Sequence, residues 1–206
     1  MTKKLAVILL VLLLIPVTGF AQKAGSFIAG MDIGMTSASG DFSGEPLNSS
    51  TGFGIGAELR YTLINNISFG PFIKYNRFGS DIQSGSNRYS YNFTQYGGLL
   101  RFNMVSVDSG KFYLLGGGGI FTPIKHTWAT DFTTDEVFEQ GNFFMGGIGI
   151  CTNPYAATVF EIEFRYNTGE ADLITDLETE THNFDFFYLA MKLSFNSKGF
   201  KPTPRY

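Results

Sequence analysis

The stretch Thr158-Val-Phe-Glu-Ile-Glu-Phe-Arg-Tyr-Asn-Thr168 decides how the rest of the chain is read. Phe160, Ile162, Phe164 and Tyr166 fall on one face of an extended strand. Glu161, Glu163 and Arg165 fall on the other, because successive side chains alternate. In a soluble sandwich the apolar face turns to a core and the charges to water. In a sheet closed on itself inside hydrocarbon the order inverts, with the apolar face outward and the charges enclosed. The flanking sequence chooses between the two.

The N-terminus predicts export. Met1-Thr-Lys-Lys4 is positively charged, Leu5 to Ile15 is an unbroken apolar run, and Gly19-Phe-Ala21 places small residues at −3 and −1. This pattern predicts a cleaved signal peptide over 1–21 and a mature domain over 22–206. The run is too short for a membrane-spanning helix, and Pro16 ends it. No cysteine follows the cleavage position, which disfavours a lipid anchor. Cys151 is the only cysteine, so no internal disulfide forms, and it reads as a small strand residue rather than a reactive thiol. The formal net charge of −3 argues against nucleic acid as a partner.

Eight segments alternate as strands, over about 26–195. The first, 26–36, puts Phe27, Ala29, Met31, Ile33 and Met35 on one face and Ile28, Gly30, Asp32 and Gly34 on the other. The second, 51–63, opposes Phe53, Ile55, Ala57, Leu59, Tyr61 and Leu63 to Gly54, Gly56, Glu58, Arg60 and Thr62. The third, 67–78, carries Pro71 on its apolar face, where a bulge or a missing ladder bond is expected, and Lys74 and Asn76 on the other. The fourth, 91–105, alternates Tyr96, Gly98, Leu100, Phe102 and Met104 with Gly97, Leu99, Arg101 and Asn103. The fifth, 111–125, and sixth, 141–152, are glycine-rich, and their faces are not assignable from sequence. The seventh is the opening stretch. The eighth, 184–195, opposes Phe187, Leu189, Met191, Leu193 and Phe195 to Tyr188, Ala190, Lys192 and Ser194, and 196–206 forms a polar tail.

The connections alternate long and short: 37–50, 79–90, 126–140 and 169–183 read as loops, the others as tight turns. Long external loops, short periplasmic turns and an even strand count are the pattern of outer-membrane barrels. Edge N–H and C=O groups find no partner in lipid, so the sheet must close. The expected fold is all-β: an eight-stranded antiparallel up-and-down transmembrane β-barrel. Its lumen is then occupied by side chains. The inward charges are Asp32, Glu58, Arg60, Lys74, Arg101, Glu161, Glu163, Arg165 and Lys192, nearly balanced in sign, as enclosed charges must be. A hairpin of the last two strands sets Glu161 opposite Lys192. The Asn65-Asn66 turn brings Lys74 near Glu58, directly or diagonally.

With Gly52-Phe-Gly-Ile-Gly-Ala-Glu-Leu-Arg-Tyr61 and Tyr188-Leu-Ala-Met-Lys-Leu-Ser-Phe195 as its carriers, the mature chain resembles the small eight-stranded outer-membrane barrels of the OmpA, OmpX and OmpW type. More narrowly, it resembles the outer-membrane β-barrel-domain proteins of Bacteroidetes type. The resemblance implies outer-membrane localisation and the aromatic Phe195 closing the last strand. No catalytic motif comes with it, and the chain runs eleven residues past Phe195, unlike barrels that end on that aromatic.

Few residues are candidates for chemistry. Gly52-x-Gly-x-Gly56 and Gly116-Gly-Gly-Gly119 lie within strands and precede no helix, so they lack the context of a phosphate loop. His126 and His182 sit at the loops. Some eight-stranded barrels modify lipid A with His, Ser and a carboxylate, but no serine joins these histidines at a recognisable spacing, so they read as solvated. Their spacing is not that of transition-metal ligands either. The loop acids Asp131, Asp135, Glu136 and Glu139, and Glu170, Asp172, Asp176, Glu178 and Glu180, read first as a solvated surface. Their second reading is divalent-cation binding that bridges to lipopolysaccharide phosphates.

The resulting expectation is a monomeric, non-enzymatic barrel without a cofactor, its lumen plugged by charge. Its partners are outer-membrane lipid, lipopolysaccharide and, during insertion, the barrel-assembly machinery. Its role is envelope integrity or surface interaction. The alternatives are a lipid-A-modifying enzyme and a barrel that binds or conducts small solutes.

Overall fold

The computed structural model describes residues 24–44, 49–64, 66–80, 88–107, 110–128, 133–152, 156–174 and 179–197. The signal-peptide reading, the tail from residue 198, and Asp131, Asp176 and Glu178 lie outside the described residues. Eight long strands form the wall: β1 Phe27–Ser39, β2 Ser49–Ile64, β3 Ile67–Ser80, β4 Arg88–Val107, β5 Gly110–Trp128, β7 Gly141–Thr152, β8 Thr158–Ile174 and β10 Asp185–Asn196. Two short strands, β6 Thr133–Val137 and β9 Thr179–Asn183, extend the wall on one side. Each long strand pairs antiparallel with its neighbour, and β10 returns to β1 from Ile28↔Asn196 to Ser39↔Asp185, closing an eight-stranded ring.

The faces follow the alternation read from sequence. Met31, Ile33, Phe53, Ile55, Phe160, Ile162, Leu189 and Met191 are exposed, and Phe144 on β7 is 70 % exposed. A contiguous apolar exterior of this kind is not a water-facing surface. The charges of the alternate positions are buried: Arg60 is 0 % exposed and Glu163 1 %. The opening stretch therefore turns its Phe/Ile/Tyr face outward. The glycine-rich strands now have faces as well. Lys111, Tyr113, Leu115, Phe121, Phe143, Met145 and Cys151 point inward, and Phe112, Phe144, Ile148 and Ile150 outward.

Some boundaries and loops differ from the sequence reading. The segments 126–140 and 169–183 are not mainly loops. β6 pairs with Ile124–Trp128 of β5, and β9 with Glu170–Ile174 of β8, so the wall continues as two β-hairpins beyond the ring. Exposed hairpins tolerate charge when opposite signs face each other across the strands, as Lys125–Glu136 does at 3.0 Å. The first loop is shorter than 37–50: β1 runs to Ser39, and one 3-10 turn, Gly40–Phe42, follows. Asn196, read as the first tail residue, ends β10 and pairs with Ile28. At Pro71 no bulge forms. The β2–β3 ladder is interrupted between Glu58↔Phe72 and Tyr61↔Phe69 without a register shift, the missing-bond outcome of a residue that cannot donate.

Candidate functional site

The lumen divides into two layers. On the side of the tight turns and the chain ends, the inward positions of β1, β2, β3, β4, β8 and β10 carry all nine charges expected from the sequence, each 7 % exposed or less. Register brings them together. Asp32 pairs with Lys192, which in turn lies opposite Glu161, as the hairpin reading expected. Lys74 lies opposite Gly56 and so diagonal to Glu58.

The ion pairs are of two kinds: some join neighbours on one strand or diagonals of adjacent strands, and others reach across the lumen between strands that do not pair. Lys192 Nζ contacts Glu58 at 2.8 Å and Glu163 at 3.0 Å, not the Glu161 directly opposite. Glu161 instead takes Arg60 at 3.0 Å and Arg101 at 2.5 Å. Lys74 pairs with Asp32 at 3.1 Å and lies 3.6 Å over the Tyr188 ring, while Glu58 is held by Arg60 at 2.6 Å and approached by Arg165 at 3.6 Å. Arg165 Nε donates to Glu163. A narrow ring brings Glu161 within reach of Arg60 and Arg101 on strands it does not pair with, so contacts across the lumen add to those along the sheet.

Two tyrosines complete this layer, and sequence reading gave neither a role. Tyr188 Oη donates to Asp32 at 2.5 Å. Tyr113 Oη lies 3.0 Å from both Glu161 and Glu163, and with one proton it donates to one of them at a time. The Arg101 guanidinium stacks 3.5 Å from the Tyr113 ring. Cys151 is buried and accepts from Arg101 Nη2 at 3.2 Å, so its thiol is part of the packing.

The other half of the lumen, toward the hairpins, is aromatic. Phe78, Phe93, Phe121, Phe143, Phe184 and Phe186 are each at most 2 % exposed. Phe42 drops in from the 3-10 turn, its ring 4.8 Å from Phe78, 5.4 Å from Tyr91 and 5.2 Å from Phe184. Edge-on and tilted ring pairs dominate, the geometry that the aromatic quadrupole favours. The turn that delivers Phe42 is fixed by Gly40, at φ +56°, and by Asn183 Nδ2 donating to Asp41 at 2.9 Å. The inward side chains thus form two layers, the expected charges and an aromatic cluster beside them that the sequence reading did not include. The signal was available: Phe78, Phe93 and Phe186 share the parity of Lys74, Arg101 and Tyr188.

Outside the ring, the acids are mostly engaged. His126 Nδ1 lies 2.6 Å from Asp135 and stacks on Trp128 at 5.9 Å. His182 lies 3.4 Å from Glu180 and edge-on to Phe138 at 5.7 Å. Asp172 accepts from Thr181 at 2.6 Å. Among the described residues neither histidine hydrogen-bonds a serine or threonine hydroxyl, and no three His, Cys, Asp or Glu side chains converge as a metal site. The two hairpins are joined to each other: Glu139 N donates to Asp172 O at 2.7 Å, and Phe138 packs 5.3 Å from Phe184.

Comparison with solved structures finds this architecture in outer-membrane proteins. Neisserial surface protein A matches with a TM-score of 0.52 at 14 % identity, over 84 % of this chain and 97 % of its own. The outer membrane protein OprG from Pseudomonas aeruginosa matches with a TM-score of 0.53 at 12 % identity, over 85 % and 97 %. At such identities these likenesses speak for the fold. No curated protein matches the chain. The model of the outer membrane protein beta-barrel domain matches residues 7–195. Closed ring, apolar exterior and family match agree: the chain belongs to the outer membrane protein β-barrel domain family and resides in the outer membrane.

Proposed function

We propose that this barrel is a closed, non-enzymatic platform that presents the β5–β6 and β8–β9 hairpins outside the membrane, for contact with the envelope surface or an external partner. The observation that carries this is the joining of the two hairpins through Glu139, Asp172, Phe138 and His182. A partner-facing surface gains affinity when its loops are already ordered, and these hairpins are held to each other and to the aromatic layer below.

Several facts support closure of the lumen. The ion-paired layer and the aromatic layer lie in series, and Phe42 caps the second. The engagement of Asp135, Glu136, Asp172 and Glu180 with neighbours favours stiff hairpins over a divalent-cation bridge to lipopolysaccharide. The His126–Asp135 pair supplies a base and its orienter but no adjacent nucleophile among the described residues, which weighs against lipid-A chemistry.

The test is complementation of a deletion strain scored by detergent sensitivity and surface binding. One variant has 124–137 replaced by a tight turn, and a second has 171–182 replaced likewise. Both are expected to insert, shown by their heat-dependent gel mobility, yet fail to restore the wild-type phenotype. Full restoration by both variants would overturn the proposal and place the function in the barrel wall.

A further inference from the structure

We infer that the ionic layer holds one small inorganic anion, of halide size and charge, between the Arg60 guanidinium and the Ser68 hydroxyl. Charge is the first ground. The layer contains Arg60, Lys74, Arg101, Arg165 and Lys192 against Asp32, Glu58, Glu161 and Glu163, one cation in excess. Lys111, at the rim below, does not change that sign. The excess is localised where Arg60 and Arg101 share the single carboxylate of Glu161. Arg60 also reaches Glu58, but Glu58 is already shared by Lys192 and Arg165.

Unmet hydrogen bonding is the second ground. Arg60 Nη2 donates to Glu161 and, at 3.5 Å, to Ser194; Nε lies 2.6 Å from Glu58 out of hydrogen-bond alignment, and Nη1 has no hydrogen-bond partner among the described residues. Ser68 Oγ has none either, and both side chains belong to residues that are 0 % exposed. Neighbouring groups are already committed. Arg101 donates to Asn103, Glu161 and Cys151, and Thr62 Oγ1 accepts from Ser26.

Register sets these two residues at neighbouring inward positions. Ser68 lies opposite Thr62 on β2, two residues from Arg60 on the same inward face, and opposite Arg101 on β4. Buried donors rarely stay unpaired. A water molecule would satisfy them and leave the excess charge. An anion satisfies both, and a closed wall on every side confines it to one or a few atoms. The site rests on the same ionic layer as closure of the lumen, but its test reads occupancy, whereas closure is read by conductance.

The test uses bromide with the full chain, refolded from urea in sodium bromide or in sodium gluconate at equal ionic strength. Crystals from the bromide sample are expected to show an anomalous peak in contact with Arg60 Nη1. The unfolding midpoint is expected to lie at higher urea in bromide than in gluconate. Ser68→Val, which gives up no protein hydrogen bond, is expected to fold and lose that difference. Wild-type unfolding that is indifferent to the salt, with no anomalous peak, overturns the proposal. That is the result if a lysine sheds its proton to discharge the layer instead. A bromide effect of equal size in Ser68→Val overturns the placement. Should that variant not fold, the wild-type peak and midpoint shift decide alone.

Discussion

The two halves of the lumen fill the same ring by opposite means. The half beneath holds nine charges in mutual contact, and the half above holds a cluster of aromatic rings. Aromatic packing is local and divisible, because each ring touches several others and loses only its own contacts when removed. The ionic layer is indivisible. Glu58, Glu161 and Glu163 are each shared by two or more cations, so removing one carboxylate strands several charges at once. The contrast suggests a division of labour: the ionic layer fixes the register of the wall, and the aromatic layer seats the hairpins and Phe42.

Glu161→Gln breaks that contrast hardest. It leaves Arg60 and Arg101 without their shared carboxylate and is expected to cost about 3–5 kcal/mol, the loss typical of a broken buried pair. Urea unfolding from lipid vesicles measures it, and a loss within about 1 kcal/mol would remove the indivisible character argued here. Phe93→Ala, at the centre of the aromatic layer, is expected to cost about 3 kcal/mol, at the lower end for an enclosed Phe because the neighbouring rings can close in.

Two glycines on β7 sharpen the comparison between inside and outside. A Cβ on inward Gly149 would stand 2.2 Å from the Tyr113 ring, so Gly149→Ala is expected to displace Tyr113 from Glu161 and Glu163 and destabilise by about 1–3 kcal/mol, the range for overpacking. A Cβ on outward Gly146 would meet nothing within 4 Å, so Gly146→Ala is expected to stabilise by about 0.4–1 kcal/mol through the unfolded chain. Opposite signs from the same substitution three residues apart are readable in one unfolding series. The smallest effect belongs to the hairpins. Lys125→Ala removes a half-exposed pair with Glu136 and is expected to change stability by less than about 1 kcal/mol.

Much of this wall was legible in the sequence because a strand in lipid must alternate without exception. Phe160 to Tyr166, Phe53 to Leu63 and Phe187 to Phe195 each declare a face, and tight turns fix which strands pair. The inward charges followed from the same parity. What was not legible has physical causes. Gly116 to Gly119 carry no side chain to alternate, so the faces of β5, and with them Lys111 and Tyr113, stayed hidden. Phe78 and Phe93 look like any outward aromatic until their parity is compared with that of Lys74 and Arg101. Phe42 sits in a stretch of Ser, Gly and Asp whose local pattern gives no hint that it folds into the lumen. Direct register did not give every ion pair, because some reach strands that do not pair, as Lys192 does to Glu58 and Arg60 and Arg101 do to Glu161.

Closure of the lumen is the claim on which the rest depends, and single-channel recording of the wild-type barrel in planar bilayers tests it most directly. Two filled layers in series predict no stable openings above baseline, in the wild type and in a barrel with shortened hairpins alike. A steady, long-lived conductance from the wild-type protein would contradict the account.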